Sequence, residues 1–205
     1  MITEKEIVYS ILNSLRGGHS NNNDLLSNRL IRSWIAAERA NLLLQFTDSG
    51  RSVSEENYQS LSTKTFTLVS DNIYKHTLPK IIYFNRRSGV RIRYNNEAVL
   101  MCTKSQDRNY QKDNYFSSVK RAWVIGNEMY VRIGTGNETN LNLDIDAILY
   151  HPSDEFYYNW ETDVYPLQSE LITVLKQTAI KNEQNIINMA LNDTTNNFTS
   201  DNGTQ

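Results

Sequence analysis

Ala122-Trp-Val-Ile-Gly-Asn-Glu-Met-Tyr-Val-Arg-Ile133 decides the fold class. Two short runs rich in β-branched and aromatic residues flank Gly126-Asn127, a pair able to take positive φ, and that pattern predicts a tight antiparallel hairpin with a fixed register. Similar runs lie on both sides of it. Strands are expected over 63–69, 80–84, 90–94, 99–103, 115–119, 122–125, 128–133 and 145–150, several of them divided by turns at 87–89, 126–127 and 134–137. The chain after Gly50 is therefore read as β up to about residue 150.

Upstream, Thr3 and Glu6 have capping-box spacing, and Ile7, Val8, Ile11, Leu12 and Leu15 recur on one helical face until Gly17-Gly18 stop it. A polar loop over 19–24 leads into a second stripe of Leu26, Leu30, Ile31, Trp34, Ile35 and Leu42, with Arg29, Arg32, Glu38 and Arg39 largely off it. Downstream, Pro166 suits a first helical turn, and Leu167, Leu171, Val174, Leu175, Ile186 and Met189 continue a helical stripe. The last stretch, NDTTNNFTSDNGTQ, has one aromatic side chain and no aliphatic one, too little apolar surface to offset the entropy of ordering. The expected architecture is α+β. A single domain over 1–191 comprises a helical hairpin (1–48), a β region (60–150) forming an antiparallel β-sandwich or partly closed barrel, and a C-terminal helix (166–191). A polar flexible tail (192–205) follows.

Composition narrows the function. The 205 residues are 39% hydrophobic and 21% charged, with mean hydropathy −0.56, enough for one well-packed core. A net charge of −2 and a pI near 5.9 lack the basic footprint of a free nucleic-acid-binding domain. One cysteine, Cys102, forms no intramolecular disulfide, and the separated His19, His76 and His151 have no metal-ligand spacing. No cofactor or metal is expected. The opening MITEKEIVYS has no signal-like apolar run, and no segment approaches the roughly 18 apolar residues of a membrane span, so a soluble protein made in a cytoplasm is expected. The sequons at Asn137, Asn192, Asn197 and Asn202 then carry little weight.

Each candidate for chemistry has a competing structural reading. Asn140, Asn142, Asp144 and Asp146 alternate with Leu141, Leu143 and Ile145, which lacks the glycine turn and distal glutamate of a calcium loop and predicts a strand with one wet face. Asp154, Glu155, Glu161 and Asp163 surround Phe156, Tyr157, Tyr158 and Trp160, residue types that could bind or cleave a sugar if two carboxyls faced each other across a cleft. Ser117, Ser118, His151 and Asp154 supply triad atoms without a G-x-S-x-G elbow, and Gly134-Thr-Gly136 precedes no G-K-[ST] run. In NRRSGVRIRY, 85–94, a basic turn feeds a strand on which Arg91 and Arg93 share one face. A solvated face ranks first there, a subunit contact second and DNA third.

EKEIVYSILNSLRGGHSNNNDLLSNRLIRSWIAAERANLLLQ (4–45), SLSTKTFTLVSDNIYKHTLPKIIYF (60–84) and PLQSELITVLKQTAIKNEQNIINMALND (166–193), in this order, resemble the neck or ring (head-to-tail connector) proteins of crAss-like and related podovirus-type tailed bacteriophages. The resemblance implies a structural virion protein rather than an enzyme, synthesised in the host cytoplasm. It implies a homo-oligomeric ring of about twelve copies on the tail-side end of the portal protein, with neck or tail proteins as neighbours and genomic DNA passing without sequence-specific binding. Closed cyclic symmetry needs two different patches per subunit, and the helical hairpin against the β region is a natural pair. Arg86, Arg87, Arg91, Arg93 and Phe198 are the candidate partner-interface residues, Phe198 as an anchor in the tail. The rival functions are a carbohydrate-binding or sugar-cleaving module built on 154–163 and a DNA-binding accessory protein using 86–93.

Overall fold

A computed structural model of the chain describes residues 2–15, 27–84, 87–112, 118–134, 138–155, 157–182 and 184. The chain divides into two compact units, one of Met1–Leu42 with Asn159–Gln205 and one of Leu43–Tyr158.

The central unit is a β structure. Its strands are β1 (Gln59–Ser70), β2 (Ile73–Thr77), β3 (Tyr83–Phe84), β4 (Arg87–Ser88), β5 (Val90–Tyr94), β6 (Glu97–Ala98), β7 (Leu100–Met101), β8 (Arg121–Ile125), β9 (Glu128–Arg132) and β10 (Asn140–Ala147). Eight of them form one sheet in the order β6-β5-β10-β1-β2-β9-β8-β7, with β3 and β4 a separate two-stranded ribbon. The first and last strands of that order are consecutive in the chain. Residues 97–98 pair with β5, residues 100–101 pair in parallel with β8, and Val99 between them donates its N–H to the Ile92 carbonyl. The sheet thus curls into a nearly closed barrel, the second of the two architectures expected, and all ladders but β7–β8 are antiparallel.

Alternation fills the barrel. Along β10 the burial switches residue by residue, with Leu141, Leu143, Ile145 and Ala147 inside and Asn140, Asn142 and Asp144 outside. Val90 and Ile92 on β5 and Met129 and Val131 on β9 join the same core, with Phe66 and Tyr74. A β-bulge between Leu61 and Lys64 adds one residue to β1 against β10. Leu61 and Phe66, five positions apart, would face opposite sides of a regular strand; the bulge brings both inward. Gly126, at φ 61°, is the first residue of the two-residue β8–β9 turn, where only glycine is unstrained.

Several boundaries differ from the sequence expectation. Expected strand 145–150 runs instead over Asn140–Ala147, and those over 80–84 and 99–103 shrink to β3 and β7. The strand expected at 115–119 falls mostly outside the described residues, and 118–119 are turn and bend. Strand β2, unforeseen, follows a turn in which Asn72 takes φ 57°. Helix α3 (Lys104–Lys112) was also unforeseen.

In the other unit, α1 (Glu4–Leu15) starts from the capping box the sequence predicts: Thr3 N–H donates to Glu6 Oε2 at 2.9 Å and Glu6 N–H to Thr3 Oγ1 at 3.2 Å. Its Ile7, Val8, Ile11 and Leu12 are buried. Helix α2 (Asn28–Asp48) begins in this unit and ends in the barrel unit. It buries Ile31, Ile35, Ala36, Arg39, Ala40 and Leu43, a three- and four-residue spacing that puts Arg39 on the inner face, where the sequence reading had it off the stripe, and leaves Leu30 exposed. The last described helix, α4, covers 169–182 rather than starting at Pro166. Val164 is bridged to Thr3, Leu167 N–H turns back to the Tyr165 carbonyl, and a residue before proline favours extended backbone, so Pro166 sits in the turn ahead of the helix. Leu175 and Ala179 face inward from α4. The tail expectation, 192–205, and the 16–26 connection fall on residues outside those described.

Candidate functional site

Arg91 and Arg93 lie where alternation puts them, on the outer face of β5. Each has a partner within the barrel unit. Arg91 Nη1 bonds to Glu55 Oε2, and its guanidinium lies 4.0 Å from the centre of the Tyr58 ring, a combination that raises its pKa further, first through the Glu55 hydrogen bond. Arg93 Nη2 donates to Asp146 Oδ2 at 3.0 Å. Arg87 is described in backbone only, as part of β4, while Arg86 and Phe198 fall outside the described residues. The basic segment is thus a partnered, solvated face at the two arginines that can be followed.

Next to it, β10 presents its wet side. Thr63 Oγ1 donates to Asp144 Oδ1 at 3.0 Å and Thr65 Oγ1 to Asn142 Oδ1 at 2.9 Å, so the acidic run is a cross-strand polar ladder. No group of three or more potential metal ligands occurs among the described residues. Farther round, Lys75 pairs with Glu128 and lies 5.9 Å from the Tyr130 ring centre; Lys120 pairs with Glu97 and lies 5.1 Å from that of Tyr94. The Lys120 ammonium holds the Glu97 carboxyl below the usual carboxylate range. Arg91, Lys75 and Lys120 are each set between a carboxylate and an aromatic ring, and Arg93 against a carboxylate alone, which leaves these four with their charge locally matched.

Three of the four carboxylates of 154–163, Glu155, Glu161 and Asp163, have partners among the described residues. Glu155 is buried and pairs with Lys64 at 3.5 Å. Asp163 Oδ2 accepts the Asn159 N–H at 2.8 Å, and Glu161 pairs with Lys5. Phe156 falls outside the described residues, Tyr157 is exposed, and Trp160 carries the Arg32 guanidinium 4.9 Å from its centre. Of the triad atoms, Ser117 is not described. Ser118 lies against Gly134, beyond the end of β9, whereas His151 and Asp154 follow the last residue of β10, at the opposite end of the barrel. Their order along the strands keeps them apart.

Two charged clusters escaped the sequence reading. On the barrel, Asp107 of α3 is buried and takes four donors. Arg121 Nε at 2.9 Å and Arg132 Nε at 3.2 Å bond to Oδ1, and Arg132 Nη2 at 3.3 Å and Gln111 Nε2 at 3.0 Å bond to Oδ2. The only signal was the capping pair Thr103 and Gln106, which bond reciprocally at 2.8 and 3.2 Å. In the helical unit, fully buried Arg39 donates to the Pro166 carbonyl at 2.9 Å, and Arg32 donates to the buried Glu4 at 2.6 Å. Burial pushes the neighbouring Tyr165 hydroxyl pKa well up, opposed by Arg39 and reinforced by Glu4.

The chain thus comprises a small barrel that carries paired charges on its wall and, in the same chain, a helical unit. A sequence model described as phage tail ring protein 2, of the crAss ring type, matches residues 6–202, and the chain belongs to that family. It is a structural ring protein of the phage tail, and the family places it in the virion. Among curated proteins no sequence matches the chain. No helix among the described residues is long and apolar enough to cross a membrane.

Proposed function

We propose that the chain is one subunit of a closed head-to-tail neck ring of about twelve copies that docks on the portal protein and continues the DNA channel toward the tail. The observation that carries the reading is the match to a tail ring family over nearly the whole chain. Cyclic closure calls for two unlike patches per subunit, and the helical unit and the barrel provide two surfaces of different chemistry, so the ring contact joins one copy's helical unit to its neighbour's barrel. Arg91 and Arg93 then contribute by exchanging Glu55 and Asp146 for a neighbour's acids, with Arg86 and Arg87 beside them, while Phe198 anchors the terminal segment on the portal side. Matched wall charges and a net charge of −2 suit a channel that DNA traverses without adhering, since adhesion would draw on unpaired cations releasing counterions.

The test is light scattering with negative-stain imaging of the protein alone and mixed with portal rings. The expected result is an annular particle alone, or one stacked coaxially on the portal. A monomer that stays monomeric beside assembled portal rings refutes the reading.

A further inference from the structure

Helix α3 lies on the outside of the barrel, yet Asp107 is its one buried residue. A surface helix is ordinarily held by an apolar stripe; here a carboxylate takes that place. The segment ahead of it, 97–101, closes the sheet, and its two sides are secured unequally. Toward β5 it continues a two-residue hairpin whose turn residues, Asn95 at φ 50° and Asn96 at φ 64°, have the I′ geometry that favours local pairing. Toward β8 it makes two residue pairs of a parallel ladder, with Leu100 N–H on the Lys120 carbonyl at 3.0 Å and Cys102 N–H on the Ala122 carbonyl at 2.8 Å. Beyond these, Val99 and Met101 pack on the barrel core and the Tyr110 ring lies 5.9 Å from the Arg121 guanidinium, but the charged tie to β8 and β9 is the Asp107 carboxylate, bonded to Arg121 of one strand and Arg132 of the other, together with an exposed Glu97–Lys120 pair.

We propose that residues 97–112 form a latch with Asp107 as its catch, and that release of Asp107 from Arg121 and Arg132 opens the seam between β7 and β8 while the rest of the barrel stays folded. The β5–β6 hairpin is the side that remains attached, because its contacts are local. Opening uncovers Cys102, which directly follows β7 and is half-buried with a thiol that burial pushes above its ordinary pKa.

Cys102 is the protein's single cysteine, so thiol labelling of the full chain reads the seam directly. Asp107→Asn keeps the volume and loses the charge. Its native-state labelling rate is expected to rise at least tenfold over wild type with the far-ultraviolet circular dichroism unchanged, while Glu97→Gln stays within about twofold. Should Asp107→Asn not fold, amide hydrogen exchange of the wild-type chain decides. The Leu100 and Cys102 amides are expected to exchange through a local opening that low denaturant does not accelerate, faster than the amides of β2 and β9. Equal labelling of a folded Asp107→Asn and wild type overturns the latch, as do seam amides that exchange only with the whole barrel.

Discussion

Strand β10 permits a sharp test, because neighbouring residues on it are assigned opposite faces. Ile145 is fully buried, set between Leu61 of β1 and Ile92 of β5, each about 2% exposed. Ile145→Ala removes most of a branched side chain from a site walled by two other strands, which costs about 2–5 kcal/mol in closely packed cores. At about 4 °C per kcal/mol for a unit of this size, the barrel melt should drop by roughly 8–20 °C. Asp146→Ala, one residue along, loses an ion pair to an Arg93 side chain that is 51% exposed. Exposed pairs of this kind contribute about 0.2–1 kcal/mol, a shift of at most about 4 °C. Denaturant titration followed by the fluorescence of Trp123, the barrel unit's one tryptophan, compares the two variants, with and without millimolar calcium. A larger loss from Asp146→Ala than from Ile145→Ala would refute the face assignment. So would stabilisation by calcium, since ligand binding at a hundredfold excess over its dissociation constant adds about 2.7 kcal/mol.

Further outcomes follow from particular groups. Burial lowers the His76 pKa below its ordinary 6.5, so the unfolded chain takes up the proton first and stability should fall as pH drops from about 6.5 through the folded pKa; His76→Gln should flatten that part of the pH–melting curve. The Tyr165 hydroxyl is buried and has no hydrogen-bond partner among the described residues, so Tyr165→Phe should leave stability within about 0.5 kcal/mol or raise it, measured by urea titration. Arg39→Met should cost about 1–3 kcal/mol in the same titration, because it strands the buried Pro166 carbonyl. Removal of 192–205 should leave the melt unchanged and weaken capture by immobilised portal rings; unchanged capture argues against the terminal anchor.

What was legible in the sequence follows from how each element is held. Strands β5, β9 and β10 alternate apolar and polar residues, and the period itself is the evidence, while β8 showed as an apolar run ahead of the Gly126-Asn127 turn. Helix α1 showed both its cap and its stripe. Helix α3 stayed hidden because its anchor is Asp107, and a lone carboxylate among polar residues is indistinguishable from a solvated one until Arg121 and Arg132 are beside it. Arg39 was misplaced for a related reason: its charge argued for solvent, but the four-residue spacing with Ile35 and Leu43 decides burial, and the Pro166 carbonyl meets its Nε. The bulge in β1 was invisible because local sequence does not reveal which strand is its neighbour. At the candidate interface, alternation correctly put Arg91 and Arg93 on one outer face, whereas their partners Glu55 and Asp146 lie 36 and 53 residues away along the chain.

The pairing of Gln59 with Ala147 sets the order in which the chain can assemble. Every strand of the barrel lies between these two residues, while the helical unit is drawn from both sides of them. Before the barrel forms, bringing α1 and α4 together means closing a loop as long as the whole β region. Once β1 and β10 are side by side, the two ends of that region are about 5 Å apart and much of the loop-closure entropy has already been spent. On the ribosome α1 emerges with α2, to which it is tied by Arg32 and Glu4, but its bonds to Trp160 and Tyr165 must wait for the chain beyond the barrel, so the barrel, complete in one contiguous stretch, folds before the helical unit can be finished. A substitution that slows the barrel should therefore delay the helical unit, whereas one in α1 should leave the barrel's folding rate unchanged.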